Sequence, residues 1–315
     1  MDILLIKVAC DLCGSERSSV AFKKHGFTAV QCAECGLVFV NPRPDAQFLK
    51  SEVYNEGYFD AEKGYGIEDL HGRAKVESFR RAAALFDLIE KQTRRGAALD
   101  VGCAAGFFLE EAARRGWEPH GIEISDYAAA QAREKSGFDI LTGDFVQLDI
   151  PENRFDLILM LDVIEHLTSP VKGLQKAYRS LKPGGLLVVE TPNYESAPSK
   201  VLGVEWGLIA PEHHLFYFTP ETLKRALGRS GLEIASLTFP RWGLADLLFS
   251  AGSLCRAGLP IGDKEKKFVR GRLRGLRDAV RAAADAADKS LLVPVFGRAG
   301  GVTMRAFAKK LNPSR

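Results

Sequence analysis

Four cysteines, two acids and a cluster of histidines are the residues of this chain whose types and spacing could do chemistry. Cys10-x-x-Cys13 and Cys32-x-x-Cys35 are joined by a short polar and aromatic segment. Each pair can sit on a tight turn with both thiolates aimed at one centre, and two pairs complete a tetrahedral Zn2+ site. Four thiolates close the coordination sphere and leave no position for water. A metal there is therefore structural, and His25, in the same segment, is not needed as a ligand and reads as a solvated loop residue.

The acids belong to a second constellation. Residues 97–109, AALDVGCAAGFFL, read as a strand, a glycine turn and the start of a helix. A loop for pyrophosphate would read G-x-G-x-x-G, because the phosphates need backbone N–H groups with no side chain in the way. This loop reads D-x-G-x-x-x-G. Asp100 stands two residues before Gly102, which argues against an anion and for a ligand end carrying positive charge. S-adenosylmethionine has such an end. Residues 117–125 read as the next strand, and Glu123 falls at its C-terminal end, about 20 residues after the turn, where an acid accepts hydrogen bonds from both ribose hydroxyls. Ile124 follows it. Cys103 lies inside the turn, where its backbone approaches the ligand, and no partner is evident that would make it a nucleophile.

In order along the chain, LDVGCAAGFF, HGIEIS, GDF at residues 143–145, FDLILMLDVIEHL, LKPGGLLVVETPN and EHHLFYFTPETLKRALGRSGLE resemble the class I S-adenosylmethionine-dependent methyltransferases. The N-terminal cysteines, N-P-R-P and the Tyr54, Tyr58 and Phe59 segment are similar to bacterial methyltransferases of sugar and polysaccharide pathways. The resemblance implies that Asp100, Gly102 and Gly106 shape the methionine end, that Glu123 holds the ribose and that Asp144 with Phe145 borders the adenine. It also sets Leu161, Asp162, Glu165 and His166 beside cofactor and acceptor; Tyr58 either faces the acceptor or, with Tyr54 and Phe59, only packs the ribbon on the core. Ala104 stands where many members have a third glycine, a small residue that still fits a tight loop. The resemblance makes His214 the counterpart of a recurrent histidine, with Glu212 to orient it and His213 as its competitor. Methyl transfer needs alignment and removal of the acceptor's proton, which an imidazole suits. His166 is a further candidate base, or orders its loop. Two adjacent histidines on an extended segment point opposite ways, which leaves a purely structural pair open.

The elements that must position these groups form an expected α/β fold: a Rossmann-like, seven-stranded, mostly parallel sheet, with an N-terminal zinc ribbon and a helical insertion before the last strand. The ribbon covers residues 1–45, a helical linker or lid 46–95, and the cofactor-binding core 96–240 with an acceptor loop at 192–218. The insertion covers 241–298, and the last strand and tail 299–315. Val76, Phe79, Ala83, Phe86 and Ile89 give one apolar stripe on the helix before the first core strand. Residues 192–211, with Trp206 and Leu208, read as a loop over the pocket. Residues 263–289 read as a long helix with an apolar seam and basic flanks. Those flanks are a solvated face or a surface for an anionic acceptor, a membrane or a partner subunit.

At 315 residues, 46% hydrophobic and 26% charged, the chain can bury one sizeable core plus appendages. A net charge of +3 does not by itself imply nucleic acid or membrane. No secretory signal or transmembrane segment is read in the sequence, so a cytoplasmic protein with reduced cysteines is expected. The reading that follows is methyl transfer to a small-molecule hydroxyl, of a sugar or related metabolite. N-methylation, and C-methylation of a nucleotide sugar, share the same core. An RNA base methyltransferase ranks lower, because there is no broad basic surface outside the late helix and no N/D-P-P-Y or cysteine-nucleophile motif. A non-catalytic cofactor-binding module is the third reading.

Overall fold

The computed structural model describes residues 5–55, 58, 73–242 and 301–311. The insertion helix expected at 263–289 and Phe59 lie outside the described residues.

Apolar runs build the centre of the molecule. β6 (Ala97–Val101) is buried at every position and β9 (Phe155–Leu161) at nearly every one, as strands covered on both faces must be. They pair in parallel with each other and with β7 (Glu118–Glu123) and β10 (Leu181–Pro192). β8 (Ile140–Thr142), β12 (Leu232–Trp242) and β13 (Gly301–Lys310) complete a seven-stranded sheet of order β12-β13-β10-β9-β6-β7-β8. Only β13 is reversed, antiparallel to both neighbours. β10 begins at Leu181, directly after the helix before it, with an irregularity between Leu181 and Leu186.

Helices cover the sheet, and their ends are fixed locally. α3 (Phe107–Arg114) starts from left-handed Gly106, at φ 81°. α4 (Asp126–Ser136) is capped by the Ser125 hydroxyl, and α7 (Pro220–Arg229) by a Thr219–Thr222 capping box with Pro220 in the first turn. The stripe on α2 (Arg73–Ile89) differs from expectation. Val76 is 50% exposed, and the buried residues are Ala82, Leu85, Phe86 and Ile89. The buried face begins only where the helix reaches α3, with the Phe79 ring 5.3 Å edge-on from Phe107.

A second sheet is made by β2 (Ser18–Lys24), β3 (Phe27–Cys32), β4 (Val38–Val40) and β11 (Phe216–Tyr217), in the order β11-β4-β3-β2. Of the four cysteines only Cys32 lies on a strand, at the end of β3; Cys10 and Cys13 precede β2 and Cys35 sits in the turn before β4, whereas β11 follows β10 of the α/β core. One continuous hydrophobic core runs through both sheets, from Leu12 and Phe39 to Phe218 and Met304. The N-terminal module also caps a core helix. α5 (Pro170–Ser180) has no cap bond from its own Ser169; instead Asp11, between Cys10 and Cys13, accepts from Val171 N at 2.8 Å and from Ser169 Oγ at 2.6 Å.

Residues 192–211 are more ordered than a loop. They contain α6 (Ala197–Leu202) and the fully enclosed Trp206, and Lys24 of the cysteine module donates to Ile209 O at 2.7 Å. None of them lines the cavity described next, so this segment braces the two sheets rather than covering the pocket.

Candidate functional site

A cavity of about 420 Å3 opens where the parallel strands end, the usual crevice of such sheets. Gly102 follows β6 in the left-handed region at φ 71°, and a Cβ there would lie 2.6 Å from Val163 Cγ2, so only glycine lets the turn and the loop after β9 meet. Ala104 is also left-handed, at φ 47°. This is a tighter demand on alanine than the sequence suggests, because an L side chain there crowds its own carbonyl.

Glu123 ends β7 at the cavity wall. Its Oε2 accepts from Ala104 N at 2.9 Å and its Oε1 from Ser125 N at 3.0 Å, so the carboxylate ties the glycine turn to the next loop. Burial raises its pKa, against the pull of those N–H groups. Asp100 sits deeper, 4% exposed. Burial, then the neighbouring Glu123 charge, push it up to about 8, with Arg81 opposing.

The floor and far side come from Ile124, Asp144, Phe145, Leu161 and Asp162. Asp144 turns back to accept from Val146 N at 2.9 Å, and Phe145 is buried beneath the Lys176 ammonium, 5.5 Å from its ring centre. Leu49, Tyr54 and Tyr58 close the cavity from the segment after the cysteine module. The structure therefore brings Gly102, Glu123, Ile124, Asp144, Phe145, Leu161, Asp162 and His166 to one cavity. Asp100, Cys103, Gly106, Glu212, His213 and His214 are not among its lining residues. The Cys103 sulfur packs with Leu109, Ala129, Ala132 and Ile140, and burial raises its pKa, which leaves it an inert core thiol. Gly106 works instead at the helix entry.

Arg81 is a lining residue that sequence reading missed. Its guanidinium bonds Asp162 Oδ2 at 3.0 Å and Glu190 Oε1 at 2.9 Å, and Arg305 Nε holds Glu190 Oε2 at 2.7 Å. Burial would lower the Arg81 pKa, but Asp162 and Glu190 win and it is raised. The one sequence signal was a basic residue just before the apolar Ala82 on α2.

The histidines gather differently from expectation. Ala210 O accepts from both His213 N, at 3.1 Å, and His214 N, at 2.7 Å, so the backbone turns there instead of extending. Both rings consequently point inward. His213 stacks on His166 with centroids 5.6 Å apart, and His214 meets His166 edge-on at 4.8 Å. Glu212 faces the other way, to His25 Nδ1 at 3.3 Å, and His214 Nδ1 is oriented instead by Leu208 O at 2.8 Å. Tyr54 Oη lies 3.0 Å from His166 Nδ1, and Tyr58 packs edge-on to Tyr54 and His213. Burial lowers all three histidine pKa values, that of His213 to about 3 and that of His166 well below its ordinary value, so the imidazoles are neutral at pH 7.

The four cysteines also come together. Cys10 Sγ is 3.5 Å from Cys35 Sγ, Cys13 Sγ is 3.4 Å from Cys32 Sγ, and all four sulfurs lie within 4.8 Å of one another. A tetrahedral zinc with Zn–S bonds of about 2.3 Å sets its sulfurs roughly 3.8 Å apart, so the donor set fits that ion. Burial pushes the Cys35 thiol up to about 11; for Cys32 the N–H groups of Cys35 and Glu34 outweigh burial and bring it down to about 7.

Comparisons with known proteins place this geometry. A family model described as a methyltransferase domain matches residues 73–237. Among curated proteins, the chain is 35% identical over 117 residues to the ubiquinone biosynthesis O-methyltransferase of Bradyrhizobium sp. (strain ORS 278), covering 35% of this chain and 46% of that one. It is 30% identical over 152 residues to the protein of the same name from Azoarcus sp. (strain BH72), covering 44% and 65%. The chain thus spans about half to two thirds of the length of these relatives. In fold it is similar to Haemonchus contortus phosphoethanolamine N-methyltransferase 2 in complex with S-adenosyl-L-methionine, with TM-score 0.55, 18% identity and coverage of 87% of this chain and 63% of that one. It is also similar to a sarcosine dimethylglycine methyltransferase, described as putative, from Galdieria sulphuraria, with TM-score 0.50, 14% identity and coverage of 75% and 86%. Since the family model takes in more than half of the chain, including the glycine turn, Glu123 and the loop after β9 that line the cavity, the chain belongs to the methyltransferase domain family.

Proposed function

We propose that this protein transfers a methyl group from S-adenosylmethionine to an oxygen of a small-molecule acceptor, with a structural zinc at the four cysteines. The observation that carries the reading is the cavity at the strand ends, with the Glu123 carboxylate in its wall and Asp100 buried behind the glycine turn. Its volume of about 420 Å3 and its mixed apolar and acidic walls suit a cationic nucleoside. The cofactor supplies an electrophilic methyl on a sulfonium. The chain's residues then have three tasks. Glu123 accepts from the ribose, Asp100 offsets positive charge at the methionine end, and Phe145 and Ile124 give the adenine an apolar wall. Tyr54, Tyr58 and His166 border the other side, where an acceptor would lie, and the low pKa values there keep the imidazoles as lone-pair acceptors. The O-methyltransferase names of the relatives favour oxygen as the acceptor atom. The sugar hydroxyl remains our choice of acceptor, on the resemblance of the cysteine module and the tyrosine segment.

Glu123→Ala should weaken S-adenosylmethionine binding at least tenfold by calorimetry, the loss of two charge-assisted hydrogen bonds. Incubation with methyl-labelled cofactor and cellular metabolite fractions should yield one labelled O-methyl product by mass spectrometry. Unchanged affinity in the variant would reject the site, and cofactor binding without any labelled product would favour the non-catalytic reading.

A further inference from the structure

Glu165 is 1% exposed and only half satisfied. Its Oε2 accepts from Thr191 Oγ1 at 2.9 Å, whereas Oε1 has no hydrogen-bond partner among the described residues. A buried carboxylate oxygen without a donor is costly and calls for a cause.

Two imidazoles adjoin it, and the backbone fixes the tautomer of each. His166 Nδ1 lies 3.0 Å from His213 O, and His214 Nδ1 lies 2.8 Å from Leu208 O. A carbonyl can only accept, so the ring proton sits on Nδ1 in both rings and Nε2 carries a bare lone pair. Tyr54 Oη, 3.0 Å from the same His166 nitrogen, shares that N–H. Glu165, His166 and His214 each offer a ligand atom within 4.8 Å of the others. Three buried or half-buried side chains with lone pairs to offer thus converge, and among the described residues no hydrogen-bond donor meets Glu165 Oε1.

We propose that Glu165, His166 and His214 form a second metal site, distinct from the four cysteines, for one divalent first-row transition ion. One carboxylate oxygen and two neutral imidazoles suit Zn2+, Mn2+ or Fe2+ rather than Ca2+ or Mg2+. Histidines whose other nitrogen donates to a carbonyl are the usual outer arrangement of such a site. Ligand atoms around an ion with bonds of about 2.1 Å stand roughly 3.1–3.4 Å apart, so binding draws these side chains slightly together. Three protein ligands leave coordination positions open, and His166 lines the cavity on the Tyr54 and Leu167 side. The ion there would hold an oxygen of the acceptor and make it easier to deprotonate. That role rests on the methyl-transfer reading; the metal affinity does not.

The test uses the full chain. After loading with Zn2+ and desalting, the wild type should carry two zinc ions, while Glu165→Gln and His214→Gln should carry one, held by the cysteines. Mn2+, which thiolates bind poorly, should give one bound ion in the wild type with imidazole-nitrogen couplings in pulsed electron paramagnetic resonance, and bind at least tenfold more weakly in both variants. Thermal melts and cofactor binding establish that each variant is folded, and His166→Gln replaces either one that is not. One zinc and no bound Mn2+ in the wild type would overturn the proposal, as would variants that keep the second ion. A protonated Glu165 donating to an imidazole would then account for the cluster. Methyl transfer without the second ion would remove its role at the acceptor and leave the reaction standing, and a second ion without methyl transfer would leave the site standing and overturn the reaction.

Discussion

Asp100 is the residue whose charge should change when ligand arrives. A carboxyl with a folded pKa near 8 holds its proton at pH 7, while the same group in an unfolded chain has lost it above about pH 4. The ligand-free protein therefore binds the extra proton between those values, and this group makes it lose stability as pH rises through that window. A cationic ligand end beside Asp100 favours the ionised form. Cofactor binding should thus release a proton at pH 7 and tighten as pH rises toward 8, visible as a buffer-dependent calorimetric enthalpy that Asp100→Asn abolishes. Ala104 makes a second residue-scale prediction. Its left-handed conformation costs about 1–2 kcal/mol, partly regained by the lower entropy of an unfolded alanine chain. Ala104→Gly should raise stability by about 0.5–1 kcal/mol in denaturant melts.

Among the elements, Glu190 ties β10 to both α2 and β13. It is fully buried in β10 and takes Arg81 from α2 and Arg305 from β13, while its carbonyl accepts from Asp162 N at 2.8 Å. Removing one partner of a buried charge cluster leaves the others uncompensated, at about 3–5 kcal/mol. Glu190→Ala should lower the melting temperature by roughly 6–20 °C on that basis, where an exposed pair such as Arg225–Glu221 should do almost nothing. The sheet itself was legible because β6, β9 and β10 are apolar runs of strand length, and the glycine turn because D-x-G-x-x-x-G is a local pattern. Arg81, Glu190 and Arg305 were not legible: their meaning lies in partners 81 to 115 residues apart in sequence. The same limit misled the reading of the histidines. Adjacent side chains diverge on a strand, and only the turn at Ala210 brings His213 and His214 to one side. Glu212 looked like their orienter by proximity in sequence, yet the turn hands it to His25.

At the level of the whole molecule, the cysteine module and the core are tied at several points, two of which reach the histidine segment and α5. β4 pairs with β11, directly after the histidines, and Asp11 caps α5 from within the first C-x-x-C loop. A metal proposed at the cysteines would thus stand behind the histidine segment. Stripping it with a chelator should speed amide exchange at residues 213–218, where Leu215 N bonds Glu165 O and Val40 N bonds Leu215 O, before it affects β6. Parallel loss of protection in both places would mean that the metal supports the fold globally rather than this segment.

The strand pairing of Phe216–Tyr217 with Val38–Val40 also bears on synthesis. The N-terminal strands leave the ribosome long before their partner is made, so Val38–Val40 waits as a bare apolar edge through most of translation. Nascent chains halted before residue 216 should therefore stick to one another or engage chaperones, and cutting the gene at residue 45 to free the α/β core would strip the histidines of their scaffold rather than yield a smaller folded protein.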